Sequence, residues 1–183
     1  MGEGLLHLYT GSGKGKTTAA VGLAVRAAGT GCPVIFAQFL KDGPSGELVS
    51  LEALGIPILR SQERLGFTFL MNDEKRALCT SEQRLILAAV AKTLASIEGK
   101  KTDGCGPQRL VVLDEVLDAL DLGFLDEDEL RAFIDTLPVG TELVLTGRQA
   151  PAWLIDQAAY HTEFRKLKHP YDQGTPARKS IEF

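Results

Sequence analysis

Tyr9-Thr10-Gly11-Ser12-Gly13-Lys14-Gly15-Lys16-Thr17-Thr18 stands between the apolar run Leu5-Leu6-His7-Leu8 and the segment Ala19-Ala20-Val21-Gly22-Leu23-Ala24-Val25. The order reads strand, glycine loop, helix, the setting in which a Gly-Lys-Thr match becomes a phosphate-binding loop. Glycines let the chain curl until successive N–H groups point inward at an anion, and the following helix adds the positive end of its dipole. Gly11, Ser12, Gly13, Lys14, Gly15, Lys16, Thr17 and Thr18 are the expected nucleotide contacts. Lys16 is expected to reach phosphate oxygens, and the Thr17 hydroxyl to hold Mg2+. The spacing is a variant one. The usual loop opens with a glycine five residues before the glycine of the Gly-Lys pair. Thr10 occupies that position here, the first glycine is Gly11, and a second lysine, Lys14, sits inside the loop.

The rest of the chain fits an α/β, doubly wound and mainly parallel sheet. Val34-Ile35-Phe36-Ala37-Gln38-Phe39 and Leu110-Val111-Val112-Leu113 are near-continuous apolar runs, as expected of strands covered on both faces. Ile56-Pro57-Ile58-Leu59 reads as a short strand, with Pro57 marking an edge or a strand start. Residues 142–145 and 159–164 complete the strands. Helices are expected over 47–54, 73–98, 127–137 and 151–157, the third ended by Pro138 and the last opened by Pro151. In the longest of these, Cys79, Ile86, Val90, Leu94 and Ile97 share one stripe. Ligands in such sheets lie at the carboxyl ends of the strands. The glycine loop, Asp114-Glu115 and Thr146-Gly147-Arg148 all fall there.

The totals suit a soluble globular protein. The chain has 183 residues, 24% charged and 44% hydrophobic, most simply one domain over 1–183 with 168–183 as a tail. A net charge of −4 gives no general affinity for nucleic acid or anionic membrane. Nothing approaches a membrane span, and no basic, then apolar leader opens the chain. The expected compartment is the cytoplasm. Cys32, Cys79 and Cys105 lie far apart without metal spacing, which favours thiols in a reducing environment.

Four apolar residues running into Asp114-Glu115 supply the acidic half of a nucleotide site. One of these carboxylates would hold Mg2+, directly or through water; the pattern does not choose between them. Arg148 follows a strand at the same rim, where its fork suits phosphate oxygens. Arg26, at the far end of the first helix, is expected on the surface. Phe67 and Phe69 alternate around Thr68 and would point the same way in an extended segment, a core pattern on residue type alone. His7 and His161 fall in strands and are expected to be structural; His169 falls in a loop. On the loop alone, a generic ATPase or kinase acting at the γ-phosphate is the expected activity.

Several stretches taken together resemble the P-loop class of ATP:corrinoid adenosyltransferases. They are Thr10 to Ala20, Gln38-Phe39-Leu40-Lys41, Gly66-Phe67-Thr68, Val111 to Glu115, Leu145-Thr146-Gly147-Arg148-Gln149-Ala150-Pro151, Lys168-His169-Pro170-Tyr171-Asp172 and the final Ile181-Glu182-Phe183. They span nearly the whole chain in the family's order. The resemblance implies a P-loop NTPase-like (RecA-like) fold and transfer of the 5′-deoxyadenosyl group of ATP to the cobalt of a Co(I) corrinoid, cobalamin or a precursor, with triphosphate released. It implies a nucleotide held in reverse relative to other P-loop enzymes, consistent with the variant spacing. Lys14, Lys16, Mg2+ and the loop amides would carry the charge of the departing oxygen. Phe67 and Phe69 match the aromatic pair that lies beside the corrin and excludes the lower axial ligand; the second position is commonly tryptophan. A homodimer and a flavoprotein reductant are further family expectations. Longer members carry an N-terminal arm over the site, so closure here is expected to come from elsewhere or be absent. A non-catalytic ATP- or corrinoid-binding module is the third reading the residues allow.

Overall fold

The computed structural model describes residues 4–64, 66, 68–99 and 107–181, and of Phe69 the backbone alone. Its strands are β1 (Leu6–Thr10), β2 (Val34–Gln38), β3 (Ile58–Arg60), β4 (Arg109–Asp114), β5 (Thr141–Thr146) and β6 (Tyr160–Glu163). Its helices are α1 (Lys16–Gly29), α2 (Gly46–Ala53), α3 (Asp73–Ser96), α4 (Val116–Asp121), α5 (Glu127–Asp135) and α6 (Ala152–Gln157). The strands form one sheet in the order β3-β2-β4-β5-β1-β6, and every pairing is parallel.

Period-two alternation along the central strands sorts the core into two layers. Val34 and Phe36 of β2, Leu110 and Val112 of β4 and Val144 of β5 face α1 and α2, where Ala20, Ala24 and Leu51 are buried. Their neighbours Ile35, Ala37, Val111, Leu113, Leu143 and Leu145 face the opposite layer, with Cys79, Ile86, Val90 and Leu94 of α3, Leu117 of α4 and Leu130 of α5. The continuous apolar runs follow from this double cover. Among the described residues no helix is long and apolar enough to cross a membrane.

Local chemistry sets the element ends. Asn72 caps α3, its side chain accepting from the Lys75 N–H. Asp126 and Glu129 form a capping box at α5, which satisfies two otherwise orphan donors. Pro57 precedes β3, an edge strand, as its missing N–H requires. Two features depart from the sequence expectation. Helix α4 follows β4 almost directly, and α1 begins at Lys16 rather than three residues later. In both places the residue just before the helix has positive φ, Glu115 at 62° and Gly15 at 124°.

Candidate active site

The variant spacing of the glycine loop has a structural cause. β1 runs through Thr10, which is buried and shares a 2.8 Å hydrogen bond with His161 Nε2. The turn therefore starts at Gly11, with φ of 109°. A Cβ on Gly11 would lie 2.3 Å from the Phe164 carbonyl oxygen, so glycine is required twice over. The loop is laced to its neighbours by backbone bonds. Gly11 N donates to Arg148 O at 2.9 Å, Gly13 N to Phe164 O at 2.7 Å, and Phe164 N to Thr10 O at 2.7 Å.

Lys16 folds back into this loop and donates to the carbonyls of Gly11 and Gly13 at 2.7 and 3.1 Å. Burial pulls its pKa below the ordinary lysine value, opposed by the nearby Asp118 carboxylate. An ammonium held among carbonyls is poised for an anion, since phosphate oxygens offer stronger acceptors.

The acidic pair closes the other side. Asp114 ends β4 with its side chain fully buried, and its Oδ1 accepts from the hydroxyls of Thr17 at 2.9 Å and Thr146 at 2.8 Å. Because β5 separates β1 from β4, Thr146 at the end of β5 is the wedge between loop and acid. Its hydroxyl oxygen also accepts from Glu115 N at 2.9 Å. Lys41 lies 3.0 Å from Asp114 Oδ2 and 3.1 Å from Glu115 Oε1. Burial alone would lower the Lys41 pKa, but the two carboxylates outweigh it and hold the ammonium above its usual range. Burial raises the Glu115 and Asp118 carboxyls. Asp118, on α4, accepts from Arg148 N at 3.0 Å.

These groups line a cleft of about 680 Å³. Lys14, Lys16, Thr17, Thr18, Glu115 and Arg148 face it, as do Gly13 and Gly15. Gly11 and Ser12 are not on its wall: Gly11 is buried beneath the loop and Ser12 is exposed. Asp114 stands behind Thr17 and Lys41. A second cleft of about 620 Å³ adjoins the first. The two share Thr17, Thr18, Leu40, Lys41, Gly66 and Ile181, and the second continues past Val21, Pro44 and Glu47. Phe67 and the ring of Phe69 lie outside the described residues, as does Cys105. His169 and Ile181 bring the tail to the first cleft.

Sequence reasoning missed Asp118, and it gave no role to Thr146, which it placed at the strand ends, or to Lys41, which it quoted within Gln38-Phe39-Leu40-Lys41. No local pattern assigns Lys41 its role, because its partners come from β4, which pairs with β2 at Gln38–Asp114. Asp118 was hidden with the short helix that carries it.

A hydroxyl and two carboxylates are the hard oxygen donors that Mg2+ prefers, so Thr17, Asp114 and Glu115 fit that ion. They are too few for an all-protein cage, which suits an ion that takes its other ligands from phosphate and water.

The family described as ATP:corrinoid adenosyltransferase BtuR/CobO/CobP matches residues 2–183. A corrinoid adenosyltransferase of Pseudomonas aeruginosa is 33% identical over 99% of this chain and 84% of its own length. The corrinoid adenosyltransferase CobA of Salmonella typhimurium is 31% identical over 99% of this chain and 86% of its own. A solved structure of ATPases 2 and 3 of EssC from Geobacillus thermodenitrificans superposes on 98% of this chain and 36% of that one, with a TM-score of 0.49 and 17% identity. With a phosphate-binding loop, an acidic strand end and a family match over almost its whole length, the chain belongs to the ATP:corrinoid adenosyltransferases.

Proposed function

We propose that this enzyme transfers the 5′-deoxyadenosyl group of ATP to a Co(I) corrinoid and releases inorganic triphosphate. The observation that carries the reading is the pair of adjoining clefts with a common wall at Thr17, Thr18, Leu40, Lys41, Gly66 and Ile181. A pocket lined by the glycine loop beside a second of similar size suits two sizeable substrates meeting at a shared edge. It is more than a γ-phosphate transfer to water requires.

The corrinoid's reduced cobalt is the nucleophile. Its electron pair forms the bond to ribose C5′, the C5′–O5′ bond breaks, and that electron pair leaves on the triphosphate. The protein's task is to bear the departing charge. Lys16 exchanges its bonds to Gly11 and Gly13 for phosphate oxygens, Lys14 and Arg148 approach from the rim, and the loop amides donate to the same anion. Mg2+ bound through Thr17 and the acidic pair would supply Lewis-acid neutralisation of the phosphates. Glu115 faces the cleft, while buried Asp114 orients the Thr17 hydroxyl from behind. Phe67 and Phe69, by resemblance, press on the corrin face and keep the lower axial ligand away. The same reading includes a cytoplasmic homodimer supplied with electrons by a flavoprotein.

The test is the product. With MgATP and chemically reduced cobalamin the protein should yield a light-sensitive cobalt–carbon species and inorganic triphosphate in equal amounts. ADP and phosphate in their place would refute the proposal. Lys16→Ala should abolish transfer, and normal turnover by that variant would remove Lys16 from the role assigned to it.

A further inference from the structure

We propose that Lys41 is a resident counter-cation that keeps divalent metal off the acidic pair until a triphosphate arrives. This rests on the acidic pair as the seat of the metal, not on which bond of ATP breaks.

The position of Lys41 is enforced from several directions. β2 ends at Gln38, and Phe39 N donates to Asp114 O at 2.9 Å, tying the chain beyond β2 to the end of β4. Leu40 then takes φ of 58°, a left-handed conformation that costs a leucine about 1 kcal/mol or more. That residue is held by a hydrogen bond from its N–H to Oε1 of Gln83, 2.9 Å away, and Gln83 is itself wholly buried in α3. The outcome is that Lys41 points back over the strand ends, with its ammonium between Asp114 Oδ2 and Glu115 Oε1. Gln38 Nε2 supports the same Asp114 oxygen at 3.4 Å. A strained turn anchored by a buried amide is not the support given to an ordinary surface lysine.

The charges give the consequence. Asp114, Glu115 and Lys41 together carry one net negative charge, with the Lys16 ammonium nearby. A divalent ion approaching alone must displace an ammonium that has nowhere better to go. A triphosphate changes this balance, because Lys41 lines both clefts and can turn toward the polyanion, freeing a carboxylate face. Metal entry becomes conditional on the nucleotide. Repulsion between a unit and a double charge a few ångströms apart in a half-shielded site supports a difference of about tenfold or more in metal affinity.

The experiment follows Mn2+ by electron paramagnetic resonance, with no nucleotide and with inorganic tripolyphosphate, on the full chain. Wild type should hold Mn2+ weakly until tripolyphosphate is added. Lys41→Met should bind Mn2+ alone about tenfold or more tightly than wild type, and Lys41→Arg should behave as wild type. Adding Glu115→Gln to Lys41→Met should erase the gain. Equal Mn2+ affinity in wild type and Lys41→Met overturns the proposal, as does a gain that survives Glu115→Gln, which places the ion elsewhere. If Lys41→Met does not fold, Lys41→Gln carries the same comparison. Adenosyl transfer is scored separately, so a missing alkyl-cobalt product with the Mn2+ contrast intact overturns the reaction proposed above and not this gate.

Discussion

Thr146→Val tests whether the site is organised around the buried acid of β4. Valine keeps the shape of threonine and removes only the hydroxyl. That hydroxyl donates to Asp114 Oδ1 at 2.8 Å and accepts from Glu115 N at 2.9 Å, and Thr146 is fully buried. The first bond goes to an ionised group, and such a bond contributes about 1.5–3 kcal/mol. The second leaves a backbone N–H without its acceptor, which costs about 1 kcal/mol at a partly buried position. Thr17 still donates to Oδ1, so the lower end of the first range applies, and the sum is about 2.5 kcal/mol. For a chain of this size that corresponds to a fall in Tm of about 5–10 °C. Thr146→Ser keeps the hydroxyl and loses one methyl, a cost of about 1 kcal/mol. Urea melts of the three proteins, with equal m-values as the check on a common unfolded state, should place serine near wild type and valine well below both. A valine variant as stable as wild type would show that the hydroxyl bridge contributes nothing.

Gly13→Ala should weaken both fold and nucleotide binding. Its Cβ would meet the Phe164 carbonyl oxygen at 2.7 Å and the Arg165 carbonyl carbon at 2.8 Å, so the loop must move off β6; a protease-resistance assay with and without MgATP reads the loss of nucleotide protection. Glu142→Gln should lower stability by about 1 kcal/mol at neutral pH, because Glu142 pairs with the buried His7 ring at 2.5 Å and accepts from Leu5 N at 2.9 Å. Burial alone would raise the Glu142 carboxyl, but those two partners outweigh it and hold the pKa below the ordinary value. A carboxyl lowered on folding stabilises above its unfolded pKa and loses that contribution as pH falls through its folded value. Melts of both proteins across the acid range should therefore converge, and a constant gap would contradict the assignment. Phe67→Ala should slow reaction from a Co(II) corrinoid far more than from pre-reduced Co(I), and equal slowing in a stopped-flow assay would reduce the ring to packing.

The fold was legible because its signals are local and repeated. β2 and β4 announce themselves as apolar runs, since two helix layers cover them. α3 announces itself because Cys79, Ile86, Val90 and Leu94 recur on one face, and all four are buried. α4 did not, because its six residues complete fewer than two turns and follow β4 after Glu115 alone. The glycine loop was legible for the same reason as the strands: its backbone demands are met by residues adjacent in sequence. Of the partners of Asp114 only Thr17 was legible, expected with the acidic pair at one metal. Thr17, Gln38, Lys41 and Thr146 come from α1, β2, the loop after β2 and β5, and only the order β2-β4-β5-β1 brings them to one carboxylate.

That difference also explains where the local rules are broken. Among the described residues, non-glycine residues with positive φ are Leu40, Glu115 and Ser180. The first two follow the ends of the neighbouring strands β2 and β4, on the wall of the same cleft. An ordinary negative φ at either place would let the chain leave the sheet without strain, but it would carry Lys41 and Glu115 away from each other. The core is a place where each local preference agrees with the global fold, and the cleft is a place where two of them do not. Strain at functional positions persists only when the surroundings over-determine it. Here the surroundings can be named: Gln83 on the Leu40 N–H and Thr146 on the Glu115 N–H, two buried side chains that each fasten one strained residue by its backbone.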